Sequence, residues 1–176
     1  MESICRNGLD WNGLTQPYVE GDMSSKRNRG GATRSRRPLT KAMLLPMDRT
    51  SAREQSLSYH LALVACRTGH GNGHQFNEIM RTVYIAWFLQ QDGYGSEPVD
   101  AFKAAEYAVE AALELAHVSG EYVLAEDTAP AFEKLLALHD AQLDVAPLHK
   151  VIDAAGRLRQ FLLGTAPSPI PDATST

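Results

Sequence analysis

The strongest helical pattern in this chain of 176 residues is Phe76-Asn-Glu-Ile-Met-Arg-Thr-Val-Tyr-Ile-Ala-Trp-Phe88. Its apolar side chains recur at steps of three and four, which is the spacing of one face of an α-helix. Glycine-containing segments bound the pattern on both sides, at 68–73 and at 90–95. We therefore predict that this helix forms the core of the fold.

A first helix is predicted before it, over residues 51–67. Ser51 and Glu54 have the spacing of a capping box, in which two side chains satisfy free N–H groups at the start of a helix. Four apolar residues share one face of this helix and are predicted to point into the core: Leu57, Leu61, Val64 and Ala65. The glycines of 68–73 are predicted to end the helix, and Asn72 to cap the next one.

Three more helices are predicted after the central one. They begin near Ser96 and Pro98, near Asp127 or Thr128 with Pro130, and at Pro147. The residues predicted to face the core are Val99, Phe102, Ala105, Val109, Ala112, Leu113 and Ala116, then Phe132, Leu135, Leu136, His139 and Leu143, then Leu148, Val151, Ile152, Ala155, Leu158 and Leu162. No segment has a convincing strand alternation. The predicted fold class is an all-α, compact bundle of about five helices with short connections.

The two ends of the chain differ in composition from this helical part. Residues 1–48 lack hydrophobic periodicity and are rich in small polar and basic residues, so we expect a disordered basic N-terminal arm. Gly164 ends the last helix, and Pro167, Pro169 and Pro171 lead us to expect a disordered Pro-rich C-terminal tail over 164–176. The helical domain is therefore predicted over 49–163, an ordinary size for one domain.

Charge is divided along the chain, although the formal net charge is only −4. Residues 24–41 contain seven bases and no acid, whereas residues 97–144 contain eleven acids and two bases. A flexible cationic segment can neutralise phosphates and release counterions, so DNA or RNA bound without sequence preference is one predicted partner. The predicted phosphate-binding residues are Lys26, Arg27, Arg29, Arg34, Arg36 and Arg37.

Other roles for the basic arm stay open. It could be a solubilising tail, a contact for an acidic protein, or an extension translated from an early start codon, with Met43 or Met47 nearer the true beginning. It could also dock internally. Glu106, Glu110 and Glu114 recur every four residues on the third helix, and this carboxylate stripe, otherwise a solvated face, would attract residues 26–41.

Four potential metal ligands lie close together in the sequence: His60, Cys66, His70 and His74. Zinc needs three or four converging ligands, and the paired spacings typical of zinc sites are absent, so no metal or other cofactor is predicted. The chain also lacks a Gly-x-Ser-x-Gly elbow. His139 and Asp140 are adjacent, and adjacent side chains on a helix point about 100° apart, so they do not form a dyad. We predict no enzymatic activity.

The sequence also predicts a cytoplasmic location without membrane contact. The longest apolar run covers residues 83–89, whereas a membrane-spanning helix needs about 20 apolar residues. The first 20 residues lack the apolar region of a secretory signal. Cys5 and Cys66 have no disulfide-framework spacing, as is usual in a reducing compartment.

Two segments of the chain resemble a set of short, uncharacterised helical proteins of bacteria. They are Ser56-Leu-Ser-Tyr-His-Leu-Ala-Leu-Val-Ala-Cys-Arg-Thr-Gly-His-Gly-Asn72 and Leu138-His-Asp-Ala-Gln-Leu143 with the following Ala146-Pro-Leu148. Such proteins often carry the label of transcriptional regulators of the Fis type. The resemblance covers about residues 39–163 and implies a regulatory role with DNA as a partner.

Taken together, these features predict a non-enzymatic accessory or regulatory module of bacteria that contacts nucleic acid through its basic arm. The alternative is a protein-interaction or structural module, in which exposed aromatic surface near Trp87 or Tyr94 forms a homodimer.

Overall fold

The computed structural model describes residues 38–166 and 168–172. Its five α-helices are α1 (Arg49–Arg67), α2 (Gly73–Gln91), α3 (Val99–Ser119), α4 (Ala129–Val145) and α5 (Leu148–Leu163), with short 3-10 helices at Lys41–Leu44 and Glu126–Thr128. The described residues contain no strand, and none of their helices is both long and apolar enough to span a membrane. The predicted all-α bundle of about five helices is confirmed.

The central position of α2 is also confirmed. This helix packs against each of the other four, and residues 82–89 are all buried. A helix that is apolar around most of its circumference cannot leave one side in water, so the others must surround it. Its first turn is closed by the capping box of Asn72 and Gln75, which confirms the predicted cap.

The start of α1 differs from its prediction. Asp48 Oδ1 accepts hydrogen bonds from the backbone N–H groups of Thr50 and Ser51, at 3.1 and 3.0 Å. The helix therefore begins two residues earlier, at Arg49, and the predicted capping box of Ser51 and Glu54 is wrong. An aspartate carboxylate that satisfies two free N–H groups at once is an effective N-cap.

The inward face of α1 was predicted wrongly. Leu57, Leu61 and Val64 are 59, 57 and 53% exposed. The buried residues of this helix are instead Ala52, Tyr59, Ala62, Leu63 and Cys66. Both sets of residues fit the helical period. In the buried set, the small side chains of Ala52, Ala62 and Cys66 let α1 lie close to its neighbours, and the Tyr59 ring fills the remaining space. On α5, Ile152 is likewise exposed, while Val151, Ala154 and Leu158 are buried.

The bundle includes residues that were assigned to the two flexible ends. Before α1, Leu45 O accepts a hydrogen bond of 2.8 Å from Leu148 N, and Met43 O lies 2.9 Å from His149 Nδ1. The predicted boundary of the arm at residue 48 is therefore too late. The rest of the arm, with all six predicted phosphate-binding residues, lies outside the described residues.

At the other end, residues 168–172 also pack against the bundle. Ile170 is buried, and Pro169 O accepts a hydrogen bond of 3.1 Å from Trp87 Nε1. The prediction of a disordered Pro-rich tail is wrong for this part of 164–176. Proline excludes a helix here, but it is compatible with a bent, non-helical segment that docks through its side chains and carbonyl groups.

Candidate functional site

The four residues considered as metal ligands do not come together. Cys66 is fully buried, and burial raises the pKa of its thiol to about 12. His70 bonds to a carbonyl group of its own loop, and His74 is exposed in the first turn of α2. Within the described ranges, no three His, Cys, Asp or Glu side chains are placed to share a metal ion.

His60 belongs to a different polar cluster, which joins α1 to α4. Its Nε2 atom lies 2.9 Å from Asp140 Oδ2, and the Tyr59 hydroxyl donates to Asp140 Oδ1. Partial burial acts to raise the pKa of Asp140, but hydrogen bonds from Tyr59, His60 and Ser56 outweigh it and hold the pKa below its usual value. The carboxylate is therefore ionised at neutral pH and engaged with several donors.

This cluster holds α1 against α4 through hydrogen bonds to one carboxylate. Burial and the hydrogen bond to Asp140 raise the pKa of Tyr59, so its phenol stays protonated. Sequence patterns did not pair Asp140 with Tyr59 or His60, because about 80 residues separate Asp140 from both of them. One feature of the sequence could have indicated this cluster. Ser56, Tyr59 and His60 lie at helical spacing on one side of α1, and three hydrogen-bonding side chains placed in this way need an acceptor on another element.

His139, the neighbour of Asp140, is buried as predicted, and it takes part in a separate network. Its Nδ1 atom lies 3.2 Å from Gln142 Oε1, and Gln142 Nε2 donates to the carbonyl groups of Ala86 and Tyr94. Burial lowers the pKa of His139 to about 4, so the ring is neutral at physiological pH. This network ties α4 to α2 and to the turn that follows it.

The predicted aromatic dimer surface is wrong. Trp87 is buried, and its ring packs edge to face on Phe102 with centroids 5.3 Å apart. Tyr94 is partly buried against the core. Large apolar side chains are exposed on α1 instead, at Leu57, Leu61 and Val64. We call these three residues the α1 row. These residues follow one another at steps of four and three, which is the spacing of a coiled-coil seam.

Two of the polar or charged side chains beside the α1 row, His60 and Arg67, have carboxylate partners within the chain. His60 pairs with Asp140, and Arg67 Nη1 lies 2.5 Å from Glu133 Oε1. Because these charges are balanced locally, the surface around the row carries little net attraction or repulsion. The α1 row is an apolar strip bordered by charges of both signs, since Arg53 and Glu54, one turn before Leu57, are exposed and opposite in charge.

The predicted carboxylate stripe on α3 is broken at its first member. Glu106 is 2% exposed and accepts hydrogen bonds from Tyr84, Lys103 and Ser168, whereas Glu114 is exposed. Most basic side chains of the described part also have carboxylate partners. The pairs are Arg67–Glu133, Arg81–Glu78, Lys103–Glu106, Lys134–Glu97, Lys150–Asp92 and Arg157–Asp92. The bundle itself therefore offers few unpaired cations to a phosphate backbone.

Comparison of the chain with protein-family models, with curated proteins and with solved structures gave no match. The regulatory role, the DNA contact, the absence of enzymatic activity and the cytoplasmic location stay predictions.

Proposed function

We propose that this protein is a non-enzymatic helical interaction module that forms a homodimer through the α1 row and has an accessory or regulatory role in bacteria. The observation that carries the proposal is the exposure of Leu57, Leu61 and Val64 on the side of α1 that faces away from the core. A row of large apolar residues at coiled-coil spacing on a surface helix marks a surface for another helix.

A second copy of the chain fits this row better than a strongly charged partner does. Two identical seams at steps of four and three can interdigitate their side chains. Like charges would meet in such a dimer, but Arg67 already has a carboxylate partner, which reduces its repulsion. Each half-exposed side chain would gain about 1 kcal/mol on burial. The six side chains of a dimer would together gain about 6 kcal/mol, so micromolar affinity, which needs about −8 kcal/mol after the cost of association, requires further contacts around the row.

The first test is Leu61→Glu, which places a charge in the middle of the α1 row. We expect the wild-type protein to double its mass over a micromolar concentration series in sedimentation equilibrium, and the variant to stay monomeric. The matched control is Leu115→Glu, because Leu115 on α3 has the same exposed fraction of 57% as Leu61. A monomeric wild-type protein at several hundred micromolar, or dissociation by the control substitution, would contradict the proposal.

Contact with nucleic acid through the arm is a second candidate function. Residues 24–41 have seven bases and no acid, and the cations of the bundle are mostly engaged by carboxylates. Phosphate contact is therefore assigned to Lys26, Arg27, Arg29, Arg34, Arg36 and Arg37. A dimer would present two such arms to one duplex and would gain affinity from the linkage.

The arm is tested with a fluorescent 30-base-pair duplex in a salt series. Six phosphate contacts per arm predict a slope of about −5 in a plot of log affinity against log salt concentration. Replacing all six cations with Gln in the full chain is expected to abolish binding. Lys134→Gln, on an exposed part of the bundle, is the control and should leave the slope unchanged. Absence of binding by the wild-type chain at low salt would reject this candidate.

A further inference from the structure

Residues 168–172, the tail segment, lie in a groove of the bundle without forming a helix or a strand. Pro169 O accepts a hydrogen bond from Trp87 Nε1 at 3.1 Å, and Ser168 Oγ donates to Glu106 Oε2 at 2.9 Å. Between the two prolines of this segment, Ile170 is 2% exposed and joins the hydrophobic core. The tail segment is thus held by one buried aliphatic side chain and a few directed polar contacts.

The last of these polar contacts is an ion pair. Lys103 Nζ lies 3.2 Å from Asp172 Oδ1 and 2.8 Å from Glu106 Oε2. Burial acts to lower the pKa of Lys103, but the two carboxylates outweigh it and raise the pKa, so the ammonium stays charged. In the groove, the Lys103 ammonium therefore faces Asp172 of the tail segment, and the Glu106 carboxylate faces Ser168.

The groups that contact the tail segment are positioned by the bundle. The Tyr84 hydroxyl donates to Glu106 Oε1 at 2.7 Å, and Lys103 holds Oε2 of the same carboxylate. The Trp87 ring is packed on Phe102. These contacts come from α2 and α3, so the groove keeps its donors and acceptors when the tail segment is withdrawn.

The tail segment has the properties of a bound peptide. Residues 164–166, which connect it to α5, are exposed, and Ser168-Pro-Ile-Pro-Asp172 has prolines on both sides of its buried residue. Proline restricts the free peptide, and Ser168 Oγ holds the bend of the segment by accepting a hydrogen bond of 3.0 Å from Ile170 N, so a segment of this kind loses little entropy when it binds. Recognition of proline-containing peptides in an aromatic-lined groove is a common binding mode.

We propose that the groove between α2 and α3 is a peptide-binding site, which the tail segment occupies as an intramolecular competitor. The ligand that fits it is a proline-containing peptide of a partner protein with a hydroxyl residue, a branched aliphatic residue two positions later and a carboxylate two positions after that. A tethered segment competes at an effective concentration of the order of millimolar. Partner binding is therefore weak until the tail segment leaves the groove. This inference is independent of the α1 row.

The test uses the full chain with Ile170→Asp, which removes the buried anchor of the tail segment. A fluorescent peptide with the sequence of residues 164–176 is titrated into this variant and into the wild-type chain. We expect the variant to bind the peptide at least tenfold more tightly, because its own tail no longer competes. The same peptide carrying Ile170→Asp should not bind. The control protein is Val145→Asp, an exposed position on α4 away from the tail segment, which should behave as the wild type.

A second measurement keeps the proposal falsifiable if Ile170→Asp unfolds the chain. Hydrogen exchange of the Trp87 indole N–H in the wild-type protein is expected to be at least tenfold faster than that of the most protected amides of α2, because the tail segment opens locally. Exchange of this proton at the rate of global unfolding would overturn the proposal. A folded Ile170→Asp variant that binds no peptide would also overturn the proposal. The same holds if Ile170→Asp abolishes a dimer that the wild type forms, since the tail segment would then bind to the groove of a second copy.

Discussion

Glu106→Ala is expected to lower the free energy of unfolding by about 3–5 kcal/mol, because it leaves the buried Lys103 ammonium without its closest counter-charge. Both side chains are buried, and Lys103 Nζ donates to Glu106 Oε2 at 2.8 Å. The substitution also removes the acceptor of Tyr84 and of Ser168. Asp172 remains near Lys103, but this carboxylate is mostly exposed and replaces only part of the lost interaction.

Urea denaturation measures this effect, and three variants separate its causes. Glu114→Ala on the exposed side of α3 should change the free energy of unfolding by less than about 0.5 kcal/mol. Ser168→Ala removes the contact of the tail with Glu106 together with the local hydrogen bonds of Ser168 Oγ to Ile170, for which we expect about 1–2 kcal/mol in total. The double variant Lys103→Met with Glu106→Leu should recover much of the lost stability, since it leaves no buried charge unpaired. A loss below about 1 kcal/mol for Glu106→Ala would show that the pair is not desolvated.

A fall in pH from 7 to 4 is expected to destabilise the bundle by roughly 3 kcal/mol through His139 alone. Burial lowers the pKa of this histidine from 6.5 to about 4. Between these two values the unfolded chain binds a proton that the folded chain does not bind. The contribution of His139 to the free energy of unfolding is therefore complete above pH 6.5. It is lost as the pH falls from 6.5 to 4, and it does not change further below pH 4.

Denaturation at a series of pH values tests this expectation, with His139→Gln as the comparison. Glutamine does not titrate and can still donate to Gln142, so the slope between pH 4 and 6.5 should become markedly smaller even if the variant is less stable overall. The carboxylates with lowered pKa values, Asp48, Asp92 and Asp140, lose their contributions at lower pH, as each is protonated through its folded pKa. An unchanged slope in His139→Gln would refute the assignment.

Local pattern was sufficient for the helices of this protein. Apolar residues at steps of three and four predicted five helices, the central position of α2 and the inward face of α4, including His139. Asn72 could be predicted as the N-cap of α2, because an N-cap side chain bonds to backbone groups no more than three residues away in the sequence. The phosphate-binding residues of the arm stay a prediction that comes from charge alone, since they lie outside the described residues.

The candidate sites depended on contacts between distant parts of the chain. Asp140 was considered with His139, its neighbour in sequence, whereas its partners Tyr59 and His60 are on another helix. Glu106 was placed on a surface stripe, whereas Lys103, Tyr84 and Ser168 together compensate the cost of its burial. A carboxylate inside a protein requires donors from several elements, and a sequence pattern on one element cannot reveal them.

The sequence by itself determined where the helices of this protein run, which of them is central and where the charge is concentrated. The tertiary structure decided that α1 turns Tyr59 to the core and leaves the α1 row exposed, and that Ile170 docks in the bundle. The physical reason is that helical periodicity defines apolar faces but does not select between two of them on one helix. Selection depends on close packing and on the pairing of polar groups, and both are properties of neighbours that are remote in sequence.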